Sequence, residues 1–249
     1  MKIFDNIEII EPYPAIYIEE IDAIVIADLH LGYEGIMAEQ GVFIPKVQFK
    51  KEMEMLSHIF EMKGAKRMII NGDVKHEFSE TTYHEFKEVK DLFEFLKSRF
   101  EEVSLVKGNH DNFIIYMTRK YGIELHDELV VGDFLFVHGH KIPRDLQRIE
   151  ASFVVIGHEH PALVLYDEVG AKEKLNCFLF GGMEGNRKIL VMPAFSYFAY
   201  GSDVNLMPKE ELLSPILRKL VDIDKLEVMG ISEETGCLDF LELGKLRSV

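Results

Sequence analysis

Five short stretches of this chain bring together residue types that hold divalent cations. They are Asp28-Leu29-His30, Gly72-Asp73, Gly108-Asn109-His110-Asp111, His138-Gly139-His140 and Gly157-His158-Glu159-His160. The side chains offer carboxylate and amide oxygens and imidazole nitrogens, but no thiolate. That mixture suits Mn²⁺, Fe or Zn²⁺ and fits poorly with a thiolate-seeking ion. Asp28, His30, Asp73, Asn109, His138, His158 and His160 are too many donors for one tetrahedral ion and about right for two ions sharing a carboxylate. Packed together without cations, the carboxylates would repel and the imidazoles would lose water; metal ions remove that cost. Any one stretch is ordinary, since Gly-Asp pairs mark turns and a lone His or Asp at a strand end usually caps or faces solvent. The weight lies in five such stretches with one layout. The alternate spacing of His158 and His160 adds to it, because it puts both rings on one side of an extended segment.

Each stretch follows a short apolar run: Ala23–Ala27, Arg67–Ile70, Val103–Val106, Phe134–Val137 and Phe153–Ile156. Continuous apolar runs of this length read as strands covered on both faces. Ligand crevices of open α/β sheets lie at strand carboxyl ends, so strands of one fold could gather the five stretches there. Around these runs, Glu8–Ile10 and Ala15–Ile18 read as short strands, and a loop runs from Gly32 to Pro45. Pro45 at a first helical position opens a helix candidate over Lys46–Lys63 that ends at Gly64, with Val47, Met53, Leu56, Ile59 and Phe60 on its core face. A second helix, capped by Ser79 or Thr81, runs to about Phe100 with Phe86, Val89, Leu92, Phe93 and Leu96 inward. A short helix over Asn112–Tyr121 stops at Gly122. Beyond it the pattern turns strand-rich: a hairpin about Gly132-Asp133, strands over Val154–Ile156, Leu163–Tyr166, Cys177–Phe180 and Ile189–Met192, a helix over Pro208–Leu220, and closing strands at Leu226–Met229 and Leu238–Leu243. Strand–helix alternation followed by a strand-rich half predicts two packed mixed sheets with flanking helices, a four-layer α/β/β/α sandwich forming one domain over residues 1–249.

The five stretches, in this order, resemble the blocks of the calcineurin-like metallophosphoesterases. Asp28-Leu29-His30-Leu31-Gly32, His138-Gly139-His140 with Pro143, Gly157-His158-Glu159-His160-Pro161 and Met192-Pro193-Ala194-Phe195-Ser196 resemble a smaller group within them. That group holds archaeal predicted phosphoesterases and the bacterial ligase-associated DNA-damage-response endonuclease. The resemblance implies one metal held by Asp28, His30, Asp73 and His160, and another held by Asp73, Asn109, His138 and His158, with Asp73 bridging. It implies a shared water acidified to a bridging hydroxide that attacks phosphorus, with Mn²⁺ the first choice of ion and Zn²⁺, Fe²⁺ or Ni²⁺ the alternatives. His110 would face the scissile phosphate as a catalytic group rather than a ligand, and Asp111 could orient His110. His76, His140 and Arg144 are further candidates for substrate contact or support of the ligands.

The formal net charge of −15 repels phosphate backbones, and the Lys and Arg residues are scattered along the chain. A small or short phosphorylated substrate, such as a nucleotide or a short single strand, fits this better than long duplex. The expected activity is phosphodiester hydrolysis. Phosphomonoester hydrolysis is the alternative within enzymes, with Lys75, Lys107 and Arg144 as the cations it would use, and a metal-binding interaction scaffold is the alternative outside them. Cys177 and Cys237 lack metal-site spacing and read as core or half-buried thiols. No apolar run approaches the length of a membrane span, and the first residues show no secretory apolar region, so a cytoplasmic protein is expected.

Overall fold

The computed structural model describes residues 1–78, 83–166, 169–199 and 201–247. The chain folds as two packed mixed sheets with few helices. The first sheet has seven strands in sequence order: β1 (Lys2–Phe4), β2 (Ile7–Ile9), β3 (Ile16–Ile18), β4 (Ala23–Ile26), β5 (Arg67–Asn71), β6 (Glu102–Val106) and β7 (Glu124–His126). Strands β1 to β4 pair antiparallel, whereas β4 to β7 pair parallel. The parallel strands are joined by helices α1 (Tyr33–Glu39), α2 (Gln48–Lys63), α3 (Tyr83–Arg99) and α4 (Ile115–Tyr121). The second sheet holds β8 (Leu129–Val131), β9 (Phe134–Phe136), β10 (Phe153–Ile156), β11 (Pro161–Tyr166), β12 (Lys172–Met183), β13 (Arg187–Val191), β14 (Ser202–Asp203), β15 (Glu227–Ser232) and β16 (Gly236–Asp239). Within it β9, β10 and β13 run parallel. Helices α5 (Pro215–Leu220) and α6 (Leu243–Arg247) cover its outer face.

The continuous apolar runs are explained by three stacked cores. In β4, Ile24 and Ile26 point to the helix side with Leu56 and Ile59 of α2 and Val89, Phe93 and Leu96 of α3. The alternate residues Ala23 and Val25 point between the sheets, against Phe134, Phe136, Val155, Phe178 and Leu190. Both faces of the strand are dry, so no polar residue interrupts it. A third core under α5 and α6 takes Leu135, Val154, Ile156 and Val191 from the far face of the second sheet.

Several expected elements differ. The Gly32–Pro45 stretch contains helix α1 rather than only loop. Pro45 is not a first helical residue: α2 begins at Gln48, because Glu34 of α1 accepts hydrogen bonds from the Val47 and Gln48 amides (2.5 and 2.8 Å) and caps the helix there. Phe86 lies exposed on α3, while Val89, Leu92, Phe93 and Leu96 are buried. The proposed caps Ser79 and Thr81 lie outside the described residues. The helix expected over Pro208–Leu220 is broken into a 3₁₀ turn at Lys209–Glu211 and α5. Leu213 and Ser214 donate their amides to the Glu159 carboxylate (3.1 and 2.8 Å), and Pro215 restarts the helix at its favoured position. Leu238–Leu243 divides into the end of β16 and the start of α6. Strand β7 was not foreseen; its Glu124, Leu125 and His126 carry no long apolar run and pair only along the β6 edge.

Candidate dinuclear metal centre

Strands β4, β5 and β6 of one sheet and β9 and β10 of the other each end in one of the five polar stretches. Asn71 clasps the sheets together. It is fully buried, and its Nδ2 donates to Val137 O (3.2 Å) and Val155 O (3.0 Å) across the gap. Its own carbonyl lies 3.0 Å from His138 Nδ1. A proton on that nitrogen leaves Nε2 free to face the cluster, the usual way a ligand imidazole is aimed.

The side chains fall into two adjoining groups. Asp28, His30 and His160 form one, and Asp73, His138 and His158 the other, with each group's donor atoms mutually within 4.8 Å; a third set without a carboxylate, His76 and His110 with the shared His30, is as close. Asp28 Oδ1 lies 3.1 Å from His160 Nε2, and Asp73 Oδ2 lies 3.1 Å from His138 Nε2. Asp73 Oδ2 is also 4.0 Å from His30 Nε2, so one carboxylate oxygen faces both groups. Asn109 Oδ1 is 3.2 Å from His138 Nε2, which places it with the second group.

The backbone is bent sharply to do this. Asp28, His30, Asp73, His158 and His160 all have positive φ, between 47° and 63°. Non-glycine residues rarely adopt this region, and its cost is typical of sites where surrounding structure enforces it. The expectation that His158 and His160 share one side of an extended segment is therefore wrong. Both residues are left-handed, and their rings go to different groups. Glycines stand where the backbone itself presses on the donors. A Cβ at Gly108 would overlap the Asp73 carboxylate and amide, and one at Gly72, at φ +95°, would overlap the His138 ring.

Electrostatics show that the residues fit cations. Asp28 and Asp73 are buried, which alone would raise their pKa values, yet both are held below the ordinary range by imidazoles: Asp28 by His160 and His138, Asp73 by His138, His30 and His110. Burial pushes His138 down, but Asp73 and Asp28 reverse this and lift it to about 9. His160 is raised by Asp28 in the same way, again against burial. His30 is pushed down to about 3 by burial and by His160, and His158 to about 4 by burial and by His138. The two buried carboxylates thus draw positive charge towards them, which is why His138 and His160 hold protons more tightly than burial alone would allow. His30 and His160 also point ring nitrogens at each other 3.4 Å apart, and Asp28 Oδ1 and His30 Nδ1 are buried without a hydrogen-bond partner. A divalent ion held by the first group would satisfy Asp28 Oδ1 and the facing nitrogens of His30 and His160.

The remaining sequence candidates separate. His110 sits beside the cluster, with Nε2 3.9 Å from Asp73 Oδ2 and its amide donating to Asp73 Oδ1 at 2.8 Å. Asp111 does not orient it. The Asp111 carboxylate, fully buried, accepts from the Val74 and Gly108 amides (both 2.9 Å) and so ties two of the loops together. Burial and the nearby Asp73 hold its pKa up to about 6. The group that holds the His110 ring is the His76 carbonyl, hydrogen-bonded to His110 Nδ1. His76 thus belongs to the site, and its ring lies near His30 and His110. His140 packs against His138 and His158 with ring centroids 5.4 and 6.0 Å away. Arg144 is not at the site; it is exposed on the rim of a separate cavity with Ile142, Leu146, Arg148 and Arg187. Lys75 is buried and bonded to the Glu77 carbonyl, so it does not face the cluster either.

Three supports carry roles that the sequence did not assign. Gln48, at the first turn of α2, donates from Nε2 to Leu29 O (2.9 Å), His30 O (3.2 Å) and Ser196 Oγ (3.1 Å). The Phe195 and Ser196 amides bond to Ala27 O and Asp28 O at 2.8 and 3.0 Å, giving the Met192–Ser196 stretch its place beside the first group. Glu159 anchors the loop between the two histidines through Leu213 and Ser214. The Met192–Ser196 motif and the place of Glu159 inside the last polar stretch were the available signals; nothing local marks Gln48. A cavity of about 230 Å³ opens over His30, His110 and His160, walled by Tyr33, His76, Ser196, Phe198 and Ala199.

The chain belongs to the calcineurin-like phosphoesterase family, whose model matches residues 22–175. Comparison with curated protein sequences gives no significant match. Among solved structures it is similar to the nuclease MPE of Pseudomonas putida, with 19% identity, 90% of this chain and 92% of that chain covered, and a TM-score of 0.62. It also matches the phosphoesterase Yfce of E. coli, with 17% identity, coverage of 88% and 99%, and a TM-score of 0.40. Vacuolar Protein Sorting 29 of Cryptosporidium parvum matches at 16% identity, with coverage of 88% and 96% and a TM-score of 0.40. The first likeness shows a common fold. Family membership and the two His/Asp groups together support a hydrolase of phosphoester bonds with a dinuclear divalent-metal site. Among the described residues no helix is long and apolar enough to cross a membrane.

Proposed function

We propose that residues 1–249 form one phosphodiesterase domain that works with two divalent ions, Mn²⁺ foremost. Asp28, His30, Asp73 and His160 hold one ion; Asp73, Asn109, His138 and His158 hold the other. The observation that favours a diester is the cavity lining, which contains no Lys or Arg. A phosphomonoester dianion needs cationic side chains beyond the metals, and none of the candidates Lys75, Lys107 and Arg144 lines the cavity. A nucleotide diester or a short single strand places only one charge at the site.

When bound, the two ions neutralise the phosphoryl oxygens and supply a water acidified towards neutral pH. The chain's own residues do the rest. Asn71 O and the Asp111 carboxylate fix the loops from which the donors project. His110, held through Nδ1 by the His76 carbonyl, presents Nε2 to the phosphate and, when protonated, passes that proton to the leaving alkoxide. The aromatic wall limits water around the phosphate, which strengthens each of these interactions.

The test is hydrolysis of bis-p-nitrophenyl phosphate and p-nitrophenyl phosphate by metal-stripped protein with Mn²⁺, Zn²⁺, Ni²⁺ or Mg²⁺ restored. We expect one ion to restore diester cleavage in clear preference to monoester cleavage, and Asp73→Asn to abolish it. Preference for the monoester would make the protein a phosphomonoesterase. No hydrolysis by folded, metal-loaded protein would leave a binding scaffold.

A further inference from the structure

We propose that the cavity beside the metal groups is a stacking subsite for one planar ring of the substrate, formed by Tyr33, His76 and Phe198, so that the diester carries a nucleobase next to the scissile phosphate. The inference rests on the phosphodiester reading of the metal groups and adds what binds alongside the phosphate.

Three observations carry it. The first is composition: beyond the donors His30 and His160 and the neighbouring His110, the lining is Tyr33, His76, Phe198, Ser196 and Ala199, with no Asp, Glu, Lys or Arg. A sugar or a second phosphate would find few partners among these residues, whereas a ring finds π faces and edges. The second is geometry. Tyr33 meets His76 edge-on, with centroids 4.9 Å apart and planes at 86°, and lies 6.1 Å from Phe198. His76 in turn stacks over His110 at 5.6 Å and 26°, so the ring wall is continuous with the residue that faces the phosphate. The third is size and exposure. A cavity of about 230 Å³ is smaller than the ~300–1,000 Å³ that drug-sized ligands fill, which limits the occupant to one ring system beside the phosphate. Tyr33 and Phe198 are half-buried, each keeping part of its ring open to an incoming partner.

The wall is held in place. Gln48 bonds to the His30 carbonyl and to Ser196, fixing both sides of the cavity floor, and Glu52 one turn later accepts from the Tyr197 amide at 3.2 Å. Phe198 follows directly. Stacking on pre-placed aromatic side chains tolerates any base and needs no basic groove, which suits a chain of net charge −15.

The experiment is calorimetric binding of AMP and of ribose 5-phosphate to Mn²⁺-loaded protein. The two ligands share phosphate and sugar and differ only in the base. We expect AMP to bind about 5- to 150-fold tighter, the range one stacked base gives. The double variant Tyr33→Leu/Phe198→Leu should bring the ratio to about one. Equal affinities in the wild type, or no AMP binding, overturn the subsite even if diesters are cleaved. A retained AMP preference in protein that cleaves no ester would instead sink the hydrolase reading and leave the subsite standing.

Discussion

At the scale of single residues, the site separates groups that hold charge from groups that hold geometry. His110 touches the cavity and clusters with His30 and His76 rather than with a carboxylate group, whereas Asp73 faces both carboxylate groups. His110→Ala should keep its metals by elemental analysis and lose about 10²–10⁴-fold of turnover on a substrate with a poor leaving group, the span general acid catalysis supplies. On bis-p-nitrophenyl phosphate, whose leaving group needs no proton, the loss should be much smaller. Loss of bound metal in that variant would reassign His110 as a ligand. Asp111 offers the contrast: paired with backbone amides rather than with His110, it acts by tying loops together.

At the scale of elements, the N-terminal turn of α2 joins the loops after β4 and after β13. Within it, Glu52 is buried, and its Oε2 has no hydrogen-bond partner, as is also true of Gln48 Oε1 one turn earlier. Burial raises the Glu52 pKa well above the ordinary range; the Gln48 side chain and the Tyr197 amide oppose this, and Glu88 and Glu34 add to it. The folded chain therefore keeps a proton that the unfolded chain releases from about pH 4.3 upward. Where the native state binds more protons, stability falls as pH rises. The wild type should lose thermal stability as pH rises above the ordinary carboxylate range, and Glu52→Gln, which needs no proton, should flatten that slope and raise the melting temperature on its alkaline side. Equal slopes in thermal melts of the two proteins would show that Glu52 is ionised in the fold.

At the scale of the whole molecule, the net charge of −15 surrounds a site meant for an anion. Repulsion of a polyanionic strand is screened as the Debye length shortens from ~30 Å at 0.01 M salt to ~8 Å at 0.15 M. The value of kcat/KM for a short single-stranded oligonucleotide should rise over that range, while a mononucleotide diester should respond less. A basic nuclease behaves in the opposite way, losing affinity as counterions compete. A steep fall in kcat/KM with salt would mean that a basic track exists which the net charge conceals.

Much of this was readable from one dimension because the chemistry demands it. Donor types at strand ends, together with apolar runs too uniform for one-sided strands, already implied two covered sheets meeting at a metal site. Asp28, His30, Asp73, Asn109, His138, His158 and His160 do come together there. What tertiary structure alone decided lies in contacts between distant segments. No local rule says that Glu34 caps α2, that Glu159 takes the amides that would have continued a helix, or that the His76 carbonyl, rather than Asp111, holds His110. Nor does spacing reveal left-handed backbone at five donor residues, because that strain is affordable only when two sheets clasped by Asn71 enforce it. The sequence by itself determined which atoms could bind metal and on which strands they would ride. The packing of the sheets decided how those atoms gather into adjoining groups, and which aromatic side chains stand beside them.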